Sequence, residues 1–171
     1  MEKGYVHVYT GNGKGKTTAA LGLAIRAVSA GKKVFFGQFI KGMEYSELKI
    51  QEYLPNLKIQ QFGIDCFIYN DPTERDIQFA RAGLQVCKDI LAKGEYDVVV
   101  LDELTIAIYY KLFTEEEAIE IIQNRAPHVE VIVTGRYAGD GLMEIADLVT
   151  EMKEIKHYYT KGIESRKGID C

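Results

Sequence analysis

Nine residues near the N-terminus, Thr10-Gly11-Asn12-Gly13-Lys14-Gly15-Lys16-Thr17-Thr18, restrict this chain more than any other stretch. An apolar run at residues 5–9 precedes them. A helical pattern through Ala19, Ala20, Leu21, Leu23, Ala24 and Ile25 follows, apolar on most faces and ending near Gly31. Four residues separate Thr10 from Gly15-Lys16-Thr17, which is P-loop spacing with Thr in place of the first glycine. Glycines let the backbone curl so that successive N–H groups point inward at phosphate oxygens. The helix that starts there adds the positive end of its dipole. Lys16 brings a mobile positive charge, and the Thr17 hydroxyl can ligate Mg2+. Gly11, Asn12, Gly13, Lys14, Gly15, Lys16, Thr17 and Thr18 are therefore candidate triphosphate contacts. The plainer alternative is a glycine-rich turn between strand and helix. Thr10 should matter little, because amides later in the loop do the binding.

The rest of the chain alternates apolar runs with helical patterns. Strands are expected at residues 33–39, 57–62, 97–101 and 129–134, with an edge strand at 148–152. A short helix is expected at 46–54 and a loop at 63–72. Phe79, Gly83, Val86 and Ile90 mark the inner face of a long amphipathic helix. Thr114-x-x-Glu117 is a capping box that opens another helix. The tail from residue 156 reads as polar and irregular. This order predicts a single α/β domain over residues 1–171, a three-layer P-loop nucleotide-binding fold of RecA-like type with a mainly parallel central sheet. A chain of 171 residues is long enough to bury a core for it.

Composition excludes several classes. A net charge of −4 and a pI near 5.5 argue against a non-specific nucleic-acid binder. No apolar run approaches the roughly 18 residues of a membrane span, and no signal-peptide pattern opens the chain. Cys66, Cys87 and Cys171 are widely spaced, and His7, His128 and His157 lack ligand spacing, so neither a zinc site nor a disulfide framework is expected. A reduced, cytoplasmic protein is the simplest expectation.

Further candidates lie at strand ends, where ligands of open α/β sheets bind. Asp102 and Glu103 close the run Val98-Val99-Val100-Leu101, and beside a P-loop they can hold Mg2+ directly or through water. Arg136, in Val133-Thr134-Gly135-Arg136, and Lys41, in Gln38-Phe39-Ile40-Lys41-Gly42, occupy the same edge. From position alone, a solvated strand end for the acids and surface ion pairs for Arg136 and Lys41 stay open.

The combination says more. The loop from Gly11 to Ala20, then Gln38-Phe39-Ile40-Lys41-Gly42, Leu101-Asp102-Glu103-Leu104-Thr105 and Thr134-Gly135-Arg136 resembles the ATP:corrinoid adenosyltransferases of the cobalamin-biosynthesis type. The ending, with Ile155-Lys156-His157, Lys161-Gly162-Ile163 and Lys167-Gly168-Ile169-Asp170, is similar too. The resemblance implies transfer of the 5′-deoxyadenosyl group of ATP to the Co(I) of cob(I)alamin or cob(I)yrinic acid a,c-diamide, with release of triphosphate. It implies Mg2+, with Mn2+ as a substitute, held by Thr17, Glu103 and Asp102. Lys16, Arg136 and Glu103 then serve catalysis, and Lys41 joins the ATP contacts. It places Phe67 and Tyr69 against the corrin ring, where core packing under a loop is the alternative. It also implies an electron donor for cobalt, a homodimer, and no nucleic-acid or membrane partner. Two rival readings remain: another P-loop kinase or ATPase with Glu103 as base, and a non-catalytic, nucleotide-gated corrinoid-binding module.

Overall fold

A computed structural model describes residues 2–43, 45–64 and 71–170. Strand β1 (Val6–Thr10) runs through the glycine loop into helix α1 (Lys16–Ser29). Next come β2 (Val34–Phe39), a 3-10 turn (Ser46–Glu52) and β3 (Leu57–Phe62). Helix α2 (Glu74–Lys93) leads to β4 (Val98–Asp102), short α3 (Leu104–Tyr109) and α4 (Glu115–Gln123). The last elements are β5 (Glu130–Thr134), α5 (Asp140–Ile145), β6 (Leu148–Glu151) and a 3-10 turn (Tyr158–Lys161).

The sheet has six strands in the order β3-β2-β4-β5-β1-β6, and every pairing is parallel. This is the expected three-layer α/β architecture, with β5 inserted between the strand of the glycine loop and the acidic strand β4. Parallel strands need covered faces, which is why β4 and β5 read as continuous apolar runs. The strand period of two deals their side chains to opposite layers. Val98 and Val100 join Ala20, Ala24 and Phe36 beneath α1, whereas Val99 and Leu101 join Phe35, Phe39 and Leu84 on the α2 side. Full burial of each such large side chain contributes about 1.5–3 kcal/mol.

Helix ends follow local chemistry. Thr114 and Glu117 form the expected capping box, with Thr114 N–H donating to Glu117 Oε2 at 2.8 Å and Glu117 N–H to Thr114 Oγ1 at 3.2 Å. Thr73 and Asp76 form another at the start of α2.

Helix α1 packs on the sheet as expected, through an alanine stripe of Ala20, Ala24 and Ala27, while Ile25 is exposed. Two sequence expectations are corrected. The inner face of α2 is rotated by about one residue from the expected one. It consists of Ala80, Gly83, Leu84, Cys87 and Leu91, and Phe79 is exposed. Gly83, lacking a side chain, lets the helix approach Phe62, so large apolar residues are a poor guide to that face. Strand β4 is shifted one residue from the expected span, ending at Asp102 and so placing it inside the strand. The short helix expected around residues 46–54 is present as a 3-10 helix, Ser46–Glu52. No helix of the described residues is long and apolar enough to cross a membrane.

Gly83 tests the close approach. A Cβ built there would lie 2.4 Å from Phe62 Cγ and 2.6 Å from Phe62 Cβ. Gly83→Ala should therefore lower the unfolding free energy by roughly 1–2 kcal/mol in urea titration, where an open helix position would gain about 1 kcal/mol.

Candidate active site

The loop's special backbone falls on its glycines. Gly11 has φ 98° and Gly15 φ 113°, values that cost little only without a Cβ. Thr10 completes β1 with ordinary strand geometry, so no glycine is required there. Gly15 is the N-cap of α1 and offers no side chain to the first helical amides. No acidic residue occupies the first turn either, which leaves an uncapped, positive helix end for an anion.

Met152, just beyond β6, packs against the loop. Gly13 N–H donates to its carbonyl at 2.7 Å, so this amide is already engaged. A Cβ on Gly11 or Gly13 would lie 2.4 or 2.7 Å from the Met152 oxygen. The approach of β6 thus accounts for both glycines, and sequence spacing did not show it.

Lys16 is only 7% exposed and donates to Gly13 O at 2.7 Å. Burial holds its pKa below the usual lysine value, and Arg136 adds to this, against the opposing pull of Glu103 and Asp102. Lys14, exposed, turns outward to Tyr158, Ile169 and Asp170. Asn12 and Thr18 are exposed.

Asp102 is fully buried at the end of β4. Its Oδ1 accepts from Thr17 Oγ1 at 2.8 Å and from Thr134 Oγ1 at 2.6 Å. Its Oδ2 accepts from Lys41 Nζ at 3.0 Å and Gln38 Nε2 at 3.4 Å. A buried carboxylate is tolerable with such a set of donors. Lys41 also lies 3.6 Å from Glu47. Burial works to lower its pKa, but Asp102, Glu47 and Glu103 outweigh this and leave it raised, so Lys41 is a bound cation.

Glu103 is half-buried and sits at φ 58° as the N-cap of α3, the left-handed region a non-glycine residue enters at a cost. Its N–H donates to Thr134 Oγ1 at 3.0 Å. Burial raises its carboxyl pKa, and the neighbouring Asp102 raises it further, against Lys41, Lys16 and Arg136. Arg136 is exposed at the turn after β5. Buried Thr105 supports that turn by donating to Arg136 O at 2.5 Å, and a Cβ on Gly135 would collide with the Thr105 hydroxyl. Thr105 and Gly135 therefore shape the backbone beneath Arg136.

Gln38, Glu47, Thr105, Thr134 and Met152 were not singled out as site residues from sequence. Thr134 and Thr105 carried one signal, being polar residues beside buried apolar strands. The proposed corrinoid contacts Phe67 and Tyr69 lie outside the described residues. His7 pairs with Glu130 at 2.7 Å, and His128 Nε2 is 3.0 Å from Gly94 O, consistent with structural histidines.

The donor set suits a hard cation: the Thr17 hydroxyl and Glu103 carboxylate are oxygens, with Asp102 behind them. No group of three or more His, Cys, Asp or Glu side chains able to hold a metal occurs among the described residues. A cation here would complete its shell with substrate phosphates and water, as Mg2+ commonly does.

Comparison with known proteins agrees with the motifs. The profile of the family described as ATP:corrinoid adenosyltransferase BtuR/CobO/CobP matches residues 2–171. The corrinoid adenosyltransferase of Escherichia coli is 37% identical over 171 residues, covering 99% of this chain and 86% of the relative. That of Salmonella typhimurium is 38% identical with the same coverage of both chains. The Pseudomonas aeruginosa protein of that name is 36% identical, covering 99% of this chain and 84% of its own. With the loop, the acidic strand end and the Thr134-Gly135-Arg136 turn on one edge of a parallel sheet, the chain belongs to the ATP:corrinoid adenosyltransferase family of transferases.

Proposed function

We propose that this transferase moves the 5′-deoxyadenosyl group of ATP onto the Co(I) of a reduced corrinoid and releases triphosphate. The observation that carries the reading is the uncapped N-terminus of α1, with buried Lys16, beside the Asp102–Glu103 strand end in a chain of this family. In the reaction the electron pair of Co(I) forms the Co–C bond at the ribose C5′. The C5′–O bond breaks, and its electrons leave on the triphosphate. The nucleophile comes with the substrate, so the protein needs no Ser, Cys or His in that role.

What remains for the protein is orientation and charge. The α1 amides and Lys16 receive the triphosphate. Arg136, on the neighbouring turn, adds positive charge where negative charge grows on the α-phosphate oxygen. Lys41 is committed to Asp102 and neutralises that carboxylate. Mg2+, held by Thr17 and Glu103 with Asp102 behind, would supply further neutralisation of the leaving group. In this reading Phe67 and Tyr69 meet the corrin ring, an electron donor delivers Co(I), and the enzyme works in the cytoplasm as a homodimer.

One observation favours a second reading. Burial and the adjacent Asp102 make Glu103 more basic than an ordinary carboxylate, as a base acting on water or a hydroxyl requires. The products separate the two. Incubation with ATP, Mg2+ and chemically reduced cobalamin should give a light-sensitive adenosylcobalamin spectrum with equimolar tripolyphosphate. ADP without a cobalt–carbon product would establish the second reading instead.

Two substitutions probe the charge assignments. Lys16→Ala should reduce kcat/KM for ATP by about a hundredfold or more, the scale of losing one preorganised donor to a developing anion. Arg136→Ala should lower kcat more than it raises KM, because its interaction strengthens as the leaving group gains charge. A raised KM with unchanged kcat would make Arg136 a ground-state anchor only.

A further inference from the structure

The chain beyond β6 returns to the phosphate loop at two adjacent residues. Met152 O accepts from Gly13 N–H at 2.7 Å. Residues near the far end of the chain hold Lys14, whose ammonium donates to Tyr158 OH at 3.1 Å and Ile169 O at 2.9 Å, and pairs with Asp170. The Asp170 carboxylate is the knot of this clasp. One oxygen accepts from Lys14 and from the Tyr158 hydroxyl. The other accepts from Arg166 N–H at 3.1 Å and Arg166 Nε at 3.3 Å. The Arg166 guanidinium also lies 4.8 Å from the centre of the Tyr158 ring. Little apolar burial holds this strap: its 3-10 turn has no buried residue, and Ile155, Tyr159 and Ile169 are exposed. Polar contacts to the loop do the holding.

We propose that Asp170, Tyr158 and Arg166 are positioning residues for the nucleotide: acting through Lys14, they hold the phosphate loop in its triphosphate-binding shape. This rests on the reading of that loop as the triphosphate site. Gly11, Gly13 and Gly15 make the loop expensive to order. Tethers at Gly13 and Lys14 restrict it before ATP arrives, which is preorganisation. The Lys14 side chain serves the strap, and its backbone remains for the phosphates. Ordering the loop is needed equally for bound substrate and for the transition state. Loss of the clasp therefore raises KM and leaves kcat alone.

The test is ATP kinetics of Asp170→Asn with saturating reduced cobalamin, alongside trypsin cleavage at Lys161 and Lys167 as a readout of strap release. The expected result is faster cleavage and a KM for ATP raised roughly threefold to tenfold, with kcat within about twofold, and restoration by Asp170→Glu. Lys14→Ala combined with Asp170→Asn should be no worse than the poorer single variant, since both cut one link. Tyr158→Phe, which keeps the ion pair, should shift KM in the same direction by less and covers the case in which Asp170→Asn does not fold. Faster cleavage with unchanged KM, unchanged cleavage, or additive effects of the Lys14 and Asp170 substitutions would each overturn the proposal. Lys16→Ala is the control: if it too leaves ATP binding intact, the triphosphate reading itself fails, whereas an effect of Lys16→Ala alone removes only the strap's role.

Discussion

The Asp102 carboxylate is the point on which the site depends. It is buried at the end of β4, and its donors come from three parts of the fold: Thr17 from α1, Thr134 from β5, and Gln38 and Lys41 from β2 and the turn after it. Sheet order makes this necessary. Strand β5 separates β1 from β4, so the phosphate loop and the acidic strand are not neighbours. The register puts Gln38 opposite Asp102 and Tyr9 opposite Thr134, at one level of the sheet. The hydroxyl of Thr17 spans the gap, and Thr134 braces it from between. A buried charge that lost these donors would be costly, so the same interactions that make Asp102 tolerable also fix α1 against β4.

Chemistry follows from how charge is distributed around that hub. Lys41 is spent on Asp102, Lys16 is folded onto its own loop, and Glu103 is held at a left-handed backbone position that aims it away from a regular strand continuation. Burial raises the basicity of Glu103, and the Asp102 carboxylate beside it raises it further; two carboxylates side by side favour the arrival of positive charge. The uncapped end of α1 favours negative charge. A triphosphate with its cation meets both demands at once, and a neutral ligand meets neither.

Much of this was legible in the sequence because it is encoded locally. The glycine loop is contiguous, β4 and β5 are uninterrupted apolar runs, and the Thr114 capping box needs only four residues. The strand ends carrying Asp102, Glu103 and Arg136 followed from the sheet's parallel order. Less legible were features set by packing at a distance. The face of α2 turns on Gly83, whose lack of a side chain matters only against Phe62. The role of Thr105 appears only when β5 brings Gly135 onto it. The clasp of Lys14 by Asp170 joins positions 156 residues apart, and no periodicity reports such a pair.

The dependence of the site on Asp102 is read out by equilibrium binding of ATP to Asp102→Asn, measured by calorimetry on a variant shown to be folded. The substitution keeps the shape and removes the charge that collects Thr17, Thr134 and Lys41. ATP affinity should be weaker by about tenfold or more, the scale of a lost hydrogen bond to a charged group. Unchanged affinity in the folded variant would contradict that dependence, because the phosphate loop would then be ordered without its tie to the acidic strand.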